Sequence, residues 1–258
     1  NLIVIMNKNM DCKKFKIHKM RDDFDKVCKE HNLFNLPFKG IIVSKSQIGM
    51  GKSNLIGNML IKPDGYRNDF KGENIYIVNP SQDMDKKFSM IKEQLDVPSH
   101  NIFNFYSNEV VDGIFDLIEE QTHQEIEDKK PISHKLVILD DCSFGGGLKS
   151  QKNGSLARLF CNGRHYGIST LITAQKLSDV PTVCRENATF LISGSCSNKQ
   201  LDLLSDDVNL LPNKKQFIKM FRQNTDEPYS FLGIDFCNKP NERYLNKDFE
   251  PIDTNKYL

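Results

Sequence analysis

The stretch SKSQIGMGKS, residues 44–53, decides how the rest of the chain is read. It follows the apolar run GIIV, residues 40–43, and leads into a segment predicted as a helix over 52–61. Strand, glycine-containing loop and helix, in that order, is the setting in which a loop can wrap a phosphate. Gly49 and Gly51 permit backbone conformations that a side chain would block, so successive N–H groups can converge on an anion. The start of the helix adds its partial positive charge. Lys52 supplies a full charge for the β- and γ-phosphates, and the Ser53 hydroxyl is a hard oxygen ligand suited to Mg²⁺. Gly49, Met50, Gly51, Lys52 and Ser53 are therefore the predicted nucleotide-binding residues, with ATP and Mg²⁺ as the predicted cofactors. The general pattern for such a loop is GxxxxGK followed by Ser or Thr, and here Ser46 stands in place of the first glycine.

Outward from this loop, short apolar runs alternate with helix-length segments. Strands are predicted at 40–44, 74–79, 102–106, 135–140, 168–175, 188–193 and 230–236, and helices at 52–61, 81–94, 109–127, 153–165, 197–205 and 213–222. Such alternation implies right-handed crossovers, hence an α/β fold with a mostly parallel central sheet flanked by helices. LVIL, residues 136–139, is apolar at every position, as a central strand buried on both faces must be. The 109–127 segment places Val110, Ile114, Leu117 and Ile118 on the face expected to cover the sheet. The chain divides into an N-terminal extension over 1–36, with a helix expected at 22–28, a nucleotide-binding domain over 37–237, and a tail over 238–258. That tail reads either as an edge extension of the sheet or as a partner-binding arm.

The 258 residues carry 35 Lys plus Arg against 34 Asp plus Glu, a formal net charge of +1. This excludes a protein that grips nucleic acid by bulk charge alone, but leaves room for a local basic loop or a basic channel formed by several subunits. No apolar run approaches the ~18 residues of a membrane span. Seven cysteines without a CxxC pair argue against a zinc site or a disulfide framework and for a reducing compartment.

Two further strand ends carry polar groups. LVILDD, residues 136–141, ends in Asp140, placed to hold Mg²⁺ through its water shell, and Asp141, placed to orient or deprotonate an attacking water. ISTLITAQ, residues 168–175, ends in Gln175, an amide that can sense a γ-phosphate or position water. Arg164 and Arg185, with Arg158 third, are candidates to stabilise charge during phosphoryl transfer when presented by a neighbouring subunit. His165 is read as structural. The loop SFGGGLKSQKNG, residues 143–154, carries Lys149 and Lys152 on a glycine stem, and is either a DNA-contacting pore loop or a solvated surface loop.

Taken together, SKSQIGMGKS, LVILDD, GRHYGISTLITAQ and CRENATFLI resemble the FtsK/HerA superfamily of ring-forming DNA-pumping ATPases. Within it they are most similar to the poxvirus-type genome-packaging ATPases of large DNA viruses, virophages and related elements. The resemblance covers about residues 38–236 and is most specific in the GRHYGIS…TAQ block. It implies a RecA-like (ASCE) P-loop NTPase fold with an extra strand between the loop strand and the acidic strand. It also implies that Arg164 acts as a finger in trans and Gln175 as a sensor, with Arg185 and Asn187 matching a further family position. The function so implied is ATP-driven translocation of double-stranded DNA into a capsid. The implied partners are the duplex, a pentameric or hexameric ring of identical subunits and capsid or portal-vertex proteins, in the host cytoplasm and at the virion. Two alternatives stand beside it: an ATP-dependent capsid-assembly switch that pumps nothing, and another helicase or translocase of the superfamily. Retained Asp140, Asp141 and Gln175 count against an inactive switch. The absence of Trp and of an aromatic stacking patch counts against a single-strand helicase.

Overall fold

A computed structural model describes residues 27–45, 51–80, 86–143, 148 and 154–258. Among these, eight strands form one sheet: β1 Lys39–Val43, β2 Ile75–Val78, β3 Ile102–Phe103, β4 Lys135–Leu139, β5 Ile168–Ala174, β6 Phe190–Ser193, β7 Leu232–Asp235 and β8 Tyr244–Leu245. Their order across the sheet is β3-β2-β4-β5-β1-β6-β7-β8. The six strands from β3 to β6 in that order are parallel, and β7 and β8 add antiparallel at one edge. Strand β5 lies between β1 and β4 and bonds to both, with Val43 beside Ala174 and Leu139 beside Ile172.

The reason for this arrangement is legible in β4. Leu136 and Ile138 point to one face and Val137 and Leu139 to the other, and all four are fully buried. Full burial of such a side chain stabilises by about 1.5–3 kcal/mol, so a strand of this composition is held only where helices cover both faces. On one face lie α1 Lys52–Ile61 and α2 Lys86–Gln94, through Ile56, Met59, Phe88 and Ile91. On the other lie α3 Asn108–Glu127, α4 Ser155–Asn162, the short α5 Thr182–Glu186, α6 Asn198–Val208 and α7 Lys214–Thr225.

Residues before β1 join the first of these cores. Phe34 stacks on Phe190 with ring centroids 3.8 Å apart, and the Tyr66 hydroxyl donates to the Phe34 carbonyl and accepts its amide, both at 2.8 Å. Gly40 is dictated by this packing: it pairs with Phe190 across the sheet, and a Cβ there would stand 2.1 Å from the Phe190 ring.

Several details differ from the sequence expectations. On α3 the buried residues are Val111, Ile114, Phe115, Ile118 and Thr122, whereas Leu117 is exposed, so the covering face is rotated from the one expected. The helix expected over 153–165 ends at Asn162 and continues as a 3-10 turn, Gly163–Tyr166. Of the helix expected at 22–28, residues 22–26 lie outside the described residues, and Val27 and Cys28 are not helical. The segment after residue 238 contributes β8, and the Tyr244 hydroxyl donates to the Val208 carbonyl at 2.9 Å. The six described cysteines are free thiols. Among the described residues no helix is long and apolar enough to cross a membrane.

Candidate active site

Helix α1 starts from Gly51, whose φ of 70° and ψ of 62° lie in the left-handed region, where glycine is accommodated without strain. No side chain caps this helix start, and its first turn holds no acidic residue. The terminus therefore presents its dipole, and the charge of Lys52, to whatever lies beyond β1. The Lys52 ammonium donates to the Ser44 carbonyl at 3.0 Å, and the Ser44 amide donates to the Ala174 carbonyl at 3.1 Å. Lys52 is thus tied to the tips of β1 and β5. Ser53 follows in the first turn of α1. Ser46, Gly49 and Met50 lie outside the described residues.

The acidic pair sits two strands away at the same end of the sheet. Asp140, buried at the tip of β4, accepts from the Thr173 hydroxyl at 2.6 Å on Oδ1 and from Asn79 Nδ2 at 3.2 Å on Oδ2. Asn79 is positioned from the end of β2 by its own amide, which donates to the Phe103 carbonyl. The Thr173 hydroxyl also accepts the Asp141 amide at 3.0 Å. Asp141 has φ 51°, a left-handed turn that Asp tolerates better than most side chains, and it leads the chain off the strand. Gln175 Nε2 approaches Asp141 Oδ1 at 3.4 Å, a long contact. Cys142 is buried directly behind, and burial, with the adjacent Asp140 and Asp141 carboxylates, pushes its thiol far above the ordinary value, which makes it inert.

Lys52, Ser53, Asp140, Asp141 and Gln175 are thus gathered at the C-terminal ends of β1, β4 and β5. Two members were missed in the sequence, Asn79 and Thr173. Each ends or nearly ends an apolar run, so the signal was a polar residue at the tip of a buried strand. The Ser53 hydroxyl and the Asp140 carboxylate are the hard oxygen donors that Mg²⁺ prefers. Among the described residues no group of three or more His, Cys, Asp and Glu could hold a metal.

The arginines separate clearly. Arg158 lies over the Phe115 ring at 4.0 Å and pairs with Asp116 and Glu119. Arg185 pairs with Asp207 and donates to the Val180 carbonyl and to Thr182 Oγ1. Arg164 is exposed in the turn before β5, where Nη2 contacts Cys28 Sγ at 3.2 Å. It stands at the opposite end of β5 from Gln175, and seven strand residues at about 3.3 Å each put roughly 20 Å between them. The Asn187 amide donates to the Val183 carbonyl at the end of α5. Lys149 and Lys152 lie outside the described residues.

A parallel sheet with a strand inserted between the loop strand and the acidic strand, and with this polar cluster on its C-terminal edge, is a RecA-like P-loop NTPase fold. The chain belongs to the poxvirus A32 protein family, whose model matches residues 25–239. Among curated proteins none matches the sequence. Among solved structures, the genome packaging NTPase B204 of Sulfolobus turreted icosahedral virus 2 in complex with AMP is 15% identical, with a TM-score of 0.54, covering 79% of this chain and 98% of that one. B204, the DNA-packaging ATPase of Sulfolobus turreted icosahedral virus, is 16% identical with a TM-score of 0.53, covering 78% and 93%. EssC (ATPases 2 and 3) of Geobacillus thermodenitrificans is 13% identical with a TM-score of 0.51, covering 69% of this chain and 35% of that one.

Proposed function

We propose that this chain is an ATPase that drives double-stranded DNA into a viral capsid. The observation that carries the reading is that Lys52, at an uncapped helix start, shares one edge of the sheet with the buried Asp140, which accepts from Thr173 and Asn79, with the strand that leads to Gln175 between them. Lys52 and the start of α1 bind the phosphates, while Ser53 and Asp140 hold Mg²⁺. That ion, once bound, neutralises charge on the transferring phosphoryl group. Asp141 orients or deprotonates the attacking water, and Gln175 beside it reports on the γ-phosphate. Arg164, far from its own site, serves a neighbouring subunit of a pentameric or hexameric ring.

The family, and the packaging role named for the structurally similar B204 proteins, support the choice of genome DNA as cargo. In this reading Lys149 and Lys152 touch DNA phosphates in the channel, capsid or portal-vertex proteins receive the ring, and the work takes place in the viral factory of the host cytoplasm. The test is hydrolysis with and without duplex DNA across a salt series. Stimulation by duplex that fades as salt rises supports a DNA pump, because phosphate contacts release counterions. Hydrolysis indifferent to DNA at every salt concentration points instead to an assembly switch.

A further inference from the structure

A cavity of about 580 Å³ runs along α1, from Asn54 in its first turn to Gly65 beyond its end, between that helix and the segments that precede β7 and follow β8. This falls within the size range of small-ligand pockets. Its apolar lining includes Leu55, Met59, Phe231 and Phe249, and Asn58 and Asp248 bring polar groups to it. Tyr229 stands at the end nearest the phosphate site: its Cδ1 lies 3.6 Å from where a Cβ on Gly51 would be.

Two features of Tyr229 are unusual. It is 68% exposed, among the most exposed large apolar side chains described. Its φ is 62°, a conformation that bulky residues rarely adopt. The neighbouring turn fixes it there, because the Ser230 hydroxyl and amide both donate to the Glu227 carbonyl, at 2.6 and 3.2 Å. A strained backbone that presents an aromatic ring to an open cavity makes sense when the ring has a ligand to meet.

We propose that this cavity is the seat of the nucleotide's base and that Tyr229 is the platform on which a purine stacks. The proposal rests on the nucleotide reading given above. With the phosphates on Lys52 and the start of α1, the rest of a nucleotide must leave the phosphate site past Gly51 and Asn54, and both border the Tyr229 ring or its cavity. Leu55 and Phe249 give apolar surface for a ring system, while the Asn58 amide and the Asp248 carboxylate bring acceptor oxygens to its lining.

The test compares ATP with inorganic tripolyphosphate, each with Mg²⁺, in equilibrium binding to the full chain. Tyr229→Ala should weaken ATP about tenfold, as loss of one base–aromatic stack does, and leave tripolyphosphate affinity unchanged. Tyr229→Phe should bind ATP like the wild type. Unchanged tripolyphosphate binding shows that the variant is folded, so normal ATP affinity in Tyr229→Ala overturns the proposal. An equal loss of both ligands also overturns it, since Tyr229 would then be supporting the phosphate site. A wild-type chain that binds neither ligand would instead sink the nucleotide reading on which the proposal stands.

Discussion

The Thr173 hydroxyl donates to Asp140 Oδ1 at 2.6 Å while accepting the Asp141 amide at 3.0 Å. One β5 side chain therefore sets both acidic residues, the first by its carboxylate and the second by its backbone. Thr173→Val keeps the shape and removes both bonds. Loss of these two bonds costs about 1–3 kcal/mol, so the variant should melt earlier and require more Mg²⁺ for hydrolysis. Thr173→Ser should restore both. A Thr173→Val protein with wild-type Mg²⁺ dependence would show that the hydroxyl does not position Asp140 for the ion.

Lys52 is the one full positive charge at the start of α1. Lys52→Ala should remove a charge-assisted contact worth about 1.5–3 kcal/mol. Equilibrium binding should then show ATP weakened by about tenfold or more, and hydrolysis should be lost. Hydrolysis at the wild-type rate would place the nucleotide elsewhere.

Asp141→Asn retains size and hydrogen-bonding capacity but loses the charge that acts on water. ATP binding should persist while turnover drops on the order of 10²-fold. Measuring both on the same preparation separates the two steps, and normal turnover would move the base to another residue.

Arg164 and Lys52 allow a mixing experiment, because in each subunit they occupy opposite ends of the sheet. Arg164→Ala should bind ATP and yet be nearly inactive, as a finger in trans contributes about 10³–10⁵ in rate. Mixed with inactive Lys52→Ala, it should regain hydrolysis wherever its intact loop faces an intact arginine. Mixed rings that form but stay inactive would exclude Arg164 as the finger.

Far from the nucleotide edge, Lys135 at the start of β4 is fully buried and donates to Glu125 at 2.7 Å and to Thr122 Oγ1 at 3.1 Å. Burial opposes ionisation of Glu125, but hydrogen bonds from Lys135 and Ser133 outweigh it and hold the carboxyl below its ordinary value. Burial likewise pulls Lys135 below the usual lysine value. A carboxyl with a depressed pKa adds stability above its unfolded-state value, and this is lost as pH falls through the folded-state one. Thermal melts of Glu125→Gln should therefore lack part of the acid-side decline seen in the wild type. Glu125→Ala strands the buried ammonium at a cost of about 3 kcal/mol. At about 2–4 °C per kcal/mol for a chain of this size, Tm should fall by roughly 10 °C. An unchanged melt would mean that Lys135 finds another partner or loses its proton.

The strands that carry the site were legible because β1 and β4 are runs of apolar residues, β5 is a run rich in apolar and β-branched residues, and each is followed by a polar residue. Asp140 and Gln175 could be found from that punctuation, and Lys52 from the glycine-containing loop between β1 and α1. Asn79 and Thr173 were not, because their importance lies in hydrogen bonds between strands far apart in the chain. The face of α3 was misjudged since Leu117 and Ile118 are equally apolar, and only the neighbouring helix decides which turns inward. Helix α5 is five residues long and β8 two, too short for any periodicity to show. Tyr229 escaped notice because a lone Tyr in a turn carries no pattern at all.

Strand β5 joins Gln175 at one end to the turn that holds Arg164 at the other, and every one of its seven residues is buried. It is hydrogen-bonded along both edges, to β1 and to β4. Such an element, packed to the density of an organic crystal, neither stretches nor compresses appreciably. In the proposed ring it would act as a strut: a displacement of Gln175 when a subunit's γ-phosphate departs would be delivered at the far end to the turn that holds Arg164. Successive firing around the ring would then need no hinge or mobile domain, only the axial stiffness of one central strand.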